Sequence, residues 1–378
     1  MPAYLIVTIP ALAFFVLYGP QPLLPRMAEL FAVSESASAF LMTLALLPMA
    51  VAPIAYGAAL ARASCRRVLL ISIASLGVVT ALFPLADTYA SAVIFRLAQG
   101  LLLPAVLTAM MTAISRTTSP ARMQVAMSGY IAATVGGGMA GRLLAGALAT
   151  YASWQLFYVL TGLALLATLP ALWRLPESGS TTTEPPDRER LRQAWQGNGN
   201  WRIFIGVGCL FLVFVGVLNF LPFRIKTIQP EASDLVIAVL YSGYAMGIVA
   251  ALGANRVINW LGTSTRALIF GFVLVIISLG PLFLDTLLPL FVTIFPLCFG
   301  MFLVHALASR RVNSNVNGGS GLVNGIYVSS YYTGGVLGSY LPGLAFERWG
   351  WDSMLGLLGI VVAGGLALNA GAPSRRSQ

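Results

Sequence analysis

Apolar residues dominate this chain in twelve long runs that short polar stretches separate. The runs cover approximately residues 3–24, 37–61, 67–86, 90–113, 124–148, 154–173, 202–223, 236–254, 266–283, 287–309, 319–341 and 351–371. Each has roughly 18 to 25 residues, the length of an α-helix that crosses the hydrocarbon core of a bilayer. The pattern predicts an all-α membrane protein with twelve transmembrane helices.

The one long polar interruption, residues 174–200, leaves six apolar runs on each side. It predicts an N-terminal six-helix bundle over 1–173, a cytoplasmic linker over 174–200 and a C-terminal six-helix bundle over 201–378. The first run has no charged residues ahead of it and no convincing cleavage site. We therefore expect a retained first helix and not a signal peptide.

The two halves of the sequence repeat one another. Residues 128–154 match residues 325–351 at an offset of 197, and a second stretch agrees at an offset of 198. A parallel repeat of membrane helices is typical of secondary transporters. The aligned pairs are Tyr130 and Tyr327, Gly137 and Gly334, Gly138 and Gly335, Gly141 and Gly338, Leu144 and Leu341, Gly146 and Gly343, Trp154 and Trp351, Gln21 and Asn219, Leu23 and Leu221, and Arg26 and Arg224.

The composition agrees with a membrane protein, since the chain is 58% hydrophobic and only 9% charged. If the N-terminus lies in the cytoplasm, sixteen of the basic residues fall in cytoplasmic segments and four on the opposite face. This asymmetry satisfies the positive-inside rule, so we expect both termini in the cytoplasm. It also explains the net charge of +10 without a nucleic-acid partner.

No enzyme site is evident in the sequence. The three cysteines have no metal-ligand spacing, the chain has a single histidine, and there is no Walker loop for nucleotide hydrolysis. We therefore expect no catalytic residues, no metal and no cofactor, and we expect that the protein is not an enzyme.

The chain resembles the major facilitator superfamily along essentially its whole length, and three motifs in its first half carry the resemblance. Residues 96–104 resemble its RxxQGxxxP motif, and the fifth run resembles the glycine-rich motif of its antiporters, with Arg142 at the position of the usual proline. Residues 57–67 resemble the signature loop, although Ala61 and Ser64 replace the usual aspartate and glycine.

Shorter stretches narrow the resemblance to one branch. Residues 18–25, 302–309 and 331–334 are similar to the acriflavine-sensitivity group of bacterial drug/proton antiporters and to related siderophore exporters. The resemblance implies a monomer in a bacterial inner membrane, with a small-molecule substrate and protons as its partners. It also implies a central cavity lined by helices one, four, seven and ten. Candidate cavity residues on these helices are Tyr18, Gln21, Arg96, Gln99, Asn219 and His305, with Arg142 on helix five. Tyr241, Tyr327 and Tyr331, on helices eight and eleven, are candidates to close the cavity walls, with interface packing as the alternative for each.

Two arginines lie inside predicted membrane helices, where a guanidinium needs water, a carbonyl or an anion beside it. The resemblance implies that Arg96 couples protonation to substrate binding; an interhelical hydrogen-bond anchor is the alternative. For Arg142, the alternative is a side chain that extends to the membrane interface.

All twelve acidic residues fall in predicted loops or at helix ends. Since an arginine fork suits a carboxylate, we expect an organic anion as substrate and not a lipophilic cation.

His305 is the natural proton carrier in a membrane interior that lacks carboxylates, because histidine titrates near neutral pH without perturbation. A neutral imidazole that forms a hydrogen bond with a neighbouring helix is the alternative.

The glycines Gly137 and Gly141, and their repeats Gly334 and Gly338, remove side chains from one helix face. Such a face serves either static packing or a conformational interface on which the two bundles rock.

The sequence as a whole predicts a secondary transporter that works by alternating access. Its expected activity is proton-coupled export of a small organic anion or neutral amphiphile, such as a carboxylate siderophore, a metabolite or a drug. Uptake through the same cavity and lipid flipping stay open as alternatives, since a fold does not choose a substrate or a direction.

Overall fold

The computed structural model of the chain describes residues 1–62, 64–175, 188–314 and 320–370. These residues form α-helices joined by short turns, with no strand among them. The first six long helices are α1 (Ala3–Phe31), α2 (Glu35–Arg62), α3 (Cys65–Leu85), α4 (Tyr89–Thr117), α5 (Pro120–Tyr151) and α6 (Trp154–Trp173).

The second half follows a short helix at Arg188–Gln196. Its long helices are α7 (Asn200–Ile228), α8 (Asp234–Leu261), α9 (Ser264–Phe283), α10 (Leu287–Ser314), α11 (320–349) and α12 (351–370). The last two form one helical stretch that Gly350 interrupts with φ 82° and ψ 177°. Glycine tolerates this positive φ because it has no Cβ, so the chain can turn between two membrane helices there.

The predicted fold class is confirmed. Within the described chain, ten helical stretches are long and apolar enough to cross a membrane. The last of them contains both α11 and α12, and α2 adds a helix of 28 residues, which gives twelve. Helix starts lie within about one turn of their predicted positions, whereas several helices continue further than predicted, and α1 reaches Phe31.

Some of the predicted features lie outside the described residues. These are residues 176–187 of the linker, residue 63 of the signature-like loop, and Arg375 and Arg376 near the C-terminus. The side chain of Ala61 also lies outside them. Around it, α2 ends at Arg62 and α3 begins at Cys65, as expected for a short loop.

The first helix is interrupted near its middle. An α-helical part ends at Tyr18, a 3₁₀ turn covers Gln21–Leu23, and a second α-helical part covers Leu24–Phe31. Pro20 has no backbone N–H, so the carbonyl of Val16, four residues earlier, loses its helical donor. The interruption is buried, and the freed carbonyl needs another donor.

By contacts, the chain divides into two compact units. The first comprises Met1–Pro185 and Ile225–Ser242, and the second comprises Pro186–Arg224 and Gly243–Gln378. The sequence did not indicate that residues 225–242 would belong with the first unit. The two-bundle division at the linker remains a prediction.

Close helix packing in the first unit depends on two of the predicted glycines. A Cβ added to Gly137 would lie 2.6 Å from the Cα of Ala11, and one added to Gly141 would lie 2.8 Å from the Cα of Phe15. Helix α5 therefore packs directly against the backbone of α1.

The repeated glycines do the same in the second unit. A Cβ added to Gly334 or Gly338 would overlap the backbone of Gly208 or Leu212 on α7. Each glycine face thus packs inside its own unit, which agrees with the packing interpretation. A role as a conformational interface stays a prediction.

We expect Gly338→Val to lower the free energy of unfolding by about 1–3 kcal/mol, the usual cost of overpacking a tight contact. Gly356→Val is the matched control, because a Cβ at Gly356 meets nothing within 4 Å. Thermal melting of the purified protein, followed by size-exclusion chromatography, measures both. Equal melting of the two variants would contradict the close contact between α11 and α7.

Candidate functional site

Arg96 on α4 is completely buried, and the backbone around the interruption of α1 surrounds its side chain. Nη1 donates to the carbonyl of Val16 at 2.9 Å, Nη2 to that of Leu17 at 3.2 Å, and Nε to that of Leu41 at 3.1 Å. The Val16 carbonyl is the one that Pro20 leaves without a helical donor. The guanidinium therefore caps the first part of α1, at the helix end where the dipole favours a cation.

Gln99 lies one turn after Arg96 and extends this network. Its Oε1 accepts from Nη1 of Arg96 at 2.8 Å, and its Nε2 points to Oγ1 of Thr80 on α3 at 3.5 Å. The network thus connects helices α1 to α4. These contacts are those of the interhelical anchor, and the coupling role of Arg96 stays a prediction.

Arg142 on α5 is also completely buried, so it does not extend to a membrane interface. Nε donates to Oε1 of Gln21 at 2.6 Å, and Nη1 donates to the carbonyl of Gly138 at 2.7 Å. The guanidinium carbon lies 4.3 Å from the ring centroid of Tyr18 and 4.9 Å from that of Tyr241. Four predicted residues therefore meet in the first unit, where two aromatic faces contact one cation.

Residues 225–242 contact α1 and α5 through one stripe of α8. Asp234, at the start of that helix, accepts from Nε of Arg26 at 2.8 Å, and only 4% of its side chain is exposed. Gly146 on α5 lies against the backbone of Asp234 and the side chain of Ala238. With Tyr241, these residues follow the helical spacing of one face. The stripe explains why this segment belongs to the first unit.

His305 on α10 lies in an aromatic environment in the second unit. The hydroxyl of Tyr327 lies 2.9 Å from Nδ1 of His305 and 3.0 Å from its carbonyl oxygen. The ring of Tyr331 lies 4.7 Å from the imidazole and stacks on Phe211, with centroids 3.6 Å apart. His305 and Tyr331 are partly exposed, whereas Tyr327 is buried.

The structure brings the predicted site residues together in three groups. Arg96 and Gln99 form the first, Tyr18, Gln21, Arg142 and Tyr241 the second, and His305, Tyr327 and Tyr331 the third. Asn219 is buried on α7, at the position of the repeat that corresponds to Gln21.

Sequence reasoning missed several neighbours of these groups. They are Asp234, which binds Arg26, Thr80 beside Gln99, and a series of rings in contact that begins at Tyr331 and continues through Phe211, Phe214, Tyr244 and Phe302. Asp234 was identifiable only as the first residue of a helix after Ser233, which caps α8. That pattern predicts where a helix starts, but it does not predict that Asp234 binds Arg26.

Acidic residues in the described chain lie at helix ends and connections, as predicted. They are Glu29, Glu35, Asp87, Glu189, Glu231, Asp234, Asp285, Glu347 and Asp352. Two of them form ion pairs with the arginines that the repeat aligns, Asp234 with Arg26 and Asp285 with Arg224.

Twelve apolar helices in the described chain, with polar side chains buried between them, are those of a multi-pass membrane protein. The family model of the Major Facilitator Superfamily matches residues 6–324, so the chain belongs to this superfamily and is a membrane transporter and not an enzyme.

Relatives and solved structures agree with this assignment. The inner membrane transport protein YnfM of Escherichia coli (strain K12) is 23% identical over 346 residues, which cover 90% of this chain and 83% of that protein. The MFS-type transporter YybF of Bacillus subtilis (strain 168) is 20% identical, covering 97% of this chain and 93% of that protein.

A bacterial homologue of the human lysosomal transporter Spinster, solved in an inward-facing and unoccupied conformation, has the same fold. Its TM-score is 0.70 at 15% identity, and the match covers 97% of this chain and 92% of that one. At this identity the likeness supports the fold alone.

Proposed function

We propose that the protein is a proton-coupled secondary transporter that exports a small organic anion or neutral amphiphile by alternating access. We place it in a bacterial inner membrane with both termini in the cytoplasm, as the basic residues and the E. coli relative favour. The two six-helix bundles are the alternating bodies in this proposal, and a monomer is the functional form.

The observation that carries the proposal is the contact between His305 and Tyr327. The His305 carbonyl, 3.0 Å from the Tyr327 hydroxyl, can only accept, so that hydroxyl donates to it. The tyrosine oxygen is then left to accept from Nδ1–H at 2.9 Å. This assignment leaves Nε2 as the atom that gains and loses a proton, and both protonation states keep the same partners.

Charge in the membrane interior restricts the substrate. The described carboxylates lie at helix ends and connections, so none is placed to attract a cation halfway across the membrane. Arg96 and Arg142 are the interior cations, and their guanidinium groups bond carbonyl and amide oxygens of the protein. These contacts favour the neutral amphiphile among the proposed substrates, whereas the lack of an interior carboxylate among the described residues disfavours a lipophilic cation.

Partly exposed aromatic rings on α10 and α11 suit an amphiphilic solute. Phe302, Tyr331 and Tyr332 are partly exposed in the second unit, and the tyrosines combine an apolar ring with a polar hydroxyl. An amphiphile can stack on such rings and receive one hydrogen bond from the imidazole.

Untargeted mass spectrometry of cytosol and medium, from matched cells with and without the protein, tests direction and substrate together. A compound retained in cells that lack the protein supports export, and its charge tests the argument from the interior cations. A compound left unconsumed in the medium would instead mean uptake through the same site. A lipophilic cation as the transported compound would contradict the proposed substrate class.

His305→Gln is expected to retain substrate binding but to lose transport driven by a pH gradient, because glutamine keeps a hydrogen-bonding group and does not titrate. The measurement is proton influx into proteoliposomes, reported by an enclosed pH-sensitive dye, when the compound found by mass spectrometry is added. Tyr151→Phe is the control, since Tyr151 is 79% exposed. Unchanged pH dependence in His305→Gln would remove this histidine from the mechanism.

A further inference from the structure

Two arginines at equivalent positions of the repeat make different ion pairs. Arg26 and Arg224 are 198 residues apart, which is the offset of the repeat in this region. Arg224 pairs with Asp285 inside the second unit, whereas Arg26 pairs with Asp234 inside the first. The two arginines occupy equivalent positions of the repeat, whereas the two aspartates that they bind do not.

The carboxylate that the repeat assigns to Arg26 is present in the chain. Asp87 and Asp285 are also 198 residues apart, and a threonine follows each. Each aspartate lies just after a 3₁₀ turn, Phe83–Leu85 or Gly280–Phe283, in the connection to the next long helix. In this structure Asp87 is exposed and lies 3.5 Å from Oγ of Ser91, a weak contact that a cation can replace.

The second part of α1, which carries Arg26, and the connection that carries Asp87 contribute to the same hydrophobic cluster. Met27, the next residue on α1, shares one buried hydrophobic cluster with Phe83 and Ala86, which immediately precede Asp87. The ring of Phe31, at the end of α1, lies 6.4 Å from that of Tyr89, two residues after Asp87, so the second part of α1 ends beside the connection that carries Asp87.

Asp234 depends on Arg26 in the present state. Only 4% of its side chain is exposed, against 79% for Asp285, so it is the carboxylate that most needs its partner. Its contacts with α1 and α5 are made by the stripe of α8 that includes Ala238 and Tyr241. If that stripe leaves α5, Asp234 becomes hydrated and releases the guanidinium.

We propose that Arg26 exchanges partners during the transport cycle, binding Asp234 in the present state and Asp87 in the state in which residues 225–242 have left α5. The exchange keeps the arginine paired in both states, which lowers the free-energy difference between them. It rests on the proposed alternating access, but on neither the substrate nor the coupling ion.

The test is a distance measurement by double electron–electron resonance on the purified protein in nanodiscs. Spin labels are attached at Tyr151→Cys on α5 and Gln229→Cys before α8, two exposed positions, after the native cysteines are replaced by alanine. We expect two distance populations, of which the longer belongs to the state with Arg26 on Asp87. Asp234→Asn should increase the longer population.

The decisive variant is Asp87→Asn, measured with and without Asp234→Asn so that the longer population is large enough to follow. It should lower that population roughly two- to fivefold, the effect of one exposed ion pair. In an Arg26→Gln background it should have no effect. Asp285→Asn, the same change at the equivalent position of the repeat, is the control and should leave both populations unchanged.

The outcomes separate the exchange from alternating access. Two distance populations that Asp87→Asn does not alter would overturn the exchange while leaving alternating access in place. A single population in every variant would overturn alternating access, and the exchange with it. A decrease with Asp87→Asn that persists in Arg26→Gln would assign the effect of Asp87 to a group other than Arg26.

Discussion

Arg96→Met is expected to abolish transport and to destabilise the first unit severely. The methionine fills similar space but donates no hydrogen bond, so the carbonyls of Val16, Leu17 and Leu41 lose a charged donor. Each buried acceptor left without a donor costs about 1–3 kcal/mol. Val16 is the most affected of the three, because the missing N–H of Pro20 denies it the usual helical donor. Thermal melting and yield of folded protein measure the loss.

A second substitution tests whether Arg96→Met destabilises the protein because α1 loses its cap. Pro20→Ala adds a backbone N–H four residues after Val16, and residue 20 already has helical torsion angles, φ −65° and ψ −18°. In the Arg96→Met background it should therefore recover about 1 kcal/mol of stability, the usual net value of one hydrogen bond. No recovery would contradict the assignment of Arg96 as the donor that replaces the N–H of Pro20.

Arg96→Lys and Arg96→Glu separate structure from transport. A lysine ammonium is a compact cation that cannot reproduce the planar fork, so we expect partial stability and weak transport. The charge reversal in Arg96→Glu should abolish transport. Full transport activity in the glutamate variant would show that the positive charge has no part in the mechanism.

The helices were predictable because they depend on local pattern. Long apolar runs bounded by basic loops predict membrane helices wherever they occur, and the repeat fixed their grouping into two halves. The interruption of α1 at Gly19 and Pro20 was not predicted, since proline in a membrane helix either kinks it or is accommodated by neighbours. Which of these occurs depends on Arg96, 80 residues away from Val16.

The sequence indicated which residues would form the site, but not which residues each of them would contact. A lone arginine in an apolar run indicates a buried functional or anchoring group, and both interior arginines proved to be fully buried. Their contacts depend on how distant helices pack, for example Gln21 with Arg142 across 121 residues of chain. Offsets of 197 and 198 align equivalent residues of the two halves, but contacts such as Arg26 with Asp234 fall outside that alignment.

Arg142→Ser is expected to release residues 225–242 from α5 while leaving the helix itself intact. The repeat supplies this variant, since Ser339 occupies the equivalent position on α11 and donates to the carbonyl of Gly335, as Arg142 donates to that of Gly138. A serine can therefore satisfy the local backbone. It cannot reach Gln21, or the rings of Tyr18 and Tyr241.

The expected size of this effect follows from the aromatic contacts. Of the two rings, only that of Tyr241 belongs to the moving segment, and one cation–π contact of about 0.5–1 kcal/mol amounts to roughly a two- to fivefold change in an equilibrium. With spin labels at positions 151 and 229, the shorter-distance population should fall by about that factor, and transport should fall with it. Arg122→Leu is the matched control, because Arg122 lies on the same helix and is exposed.

The size of the change in melting temperature distinguishes the site of Arg142 from that of Arg96. Arg96 caps a helix inside the first unit, so its loss should lower the melting temperature strongly in every state. Arg142 contacts Tyr241, on the segment that we propose to move, so its loss should shift the balance between states with only a small change in melting. A melting temperature as low as that of Arg96→Met, with unchanged distances, would mean that Arg142 stabilises the fold and does not hold the moving segment.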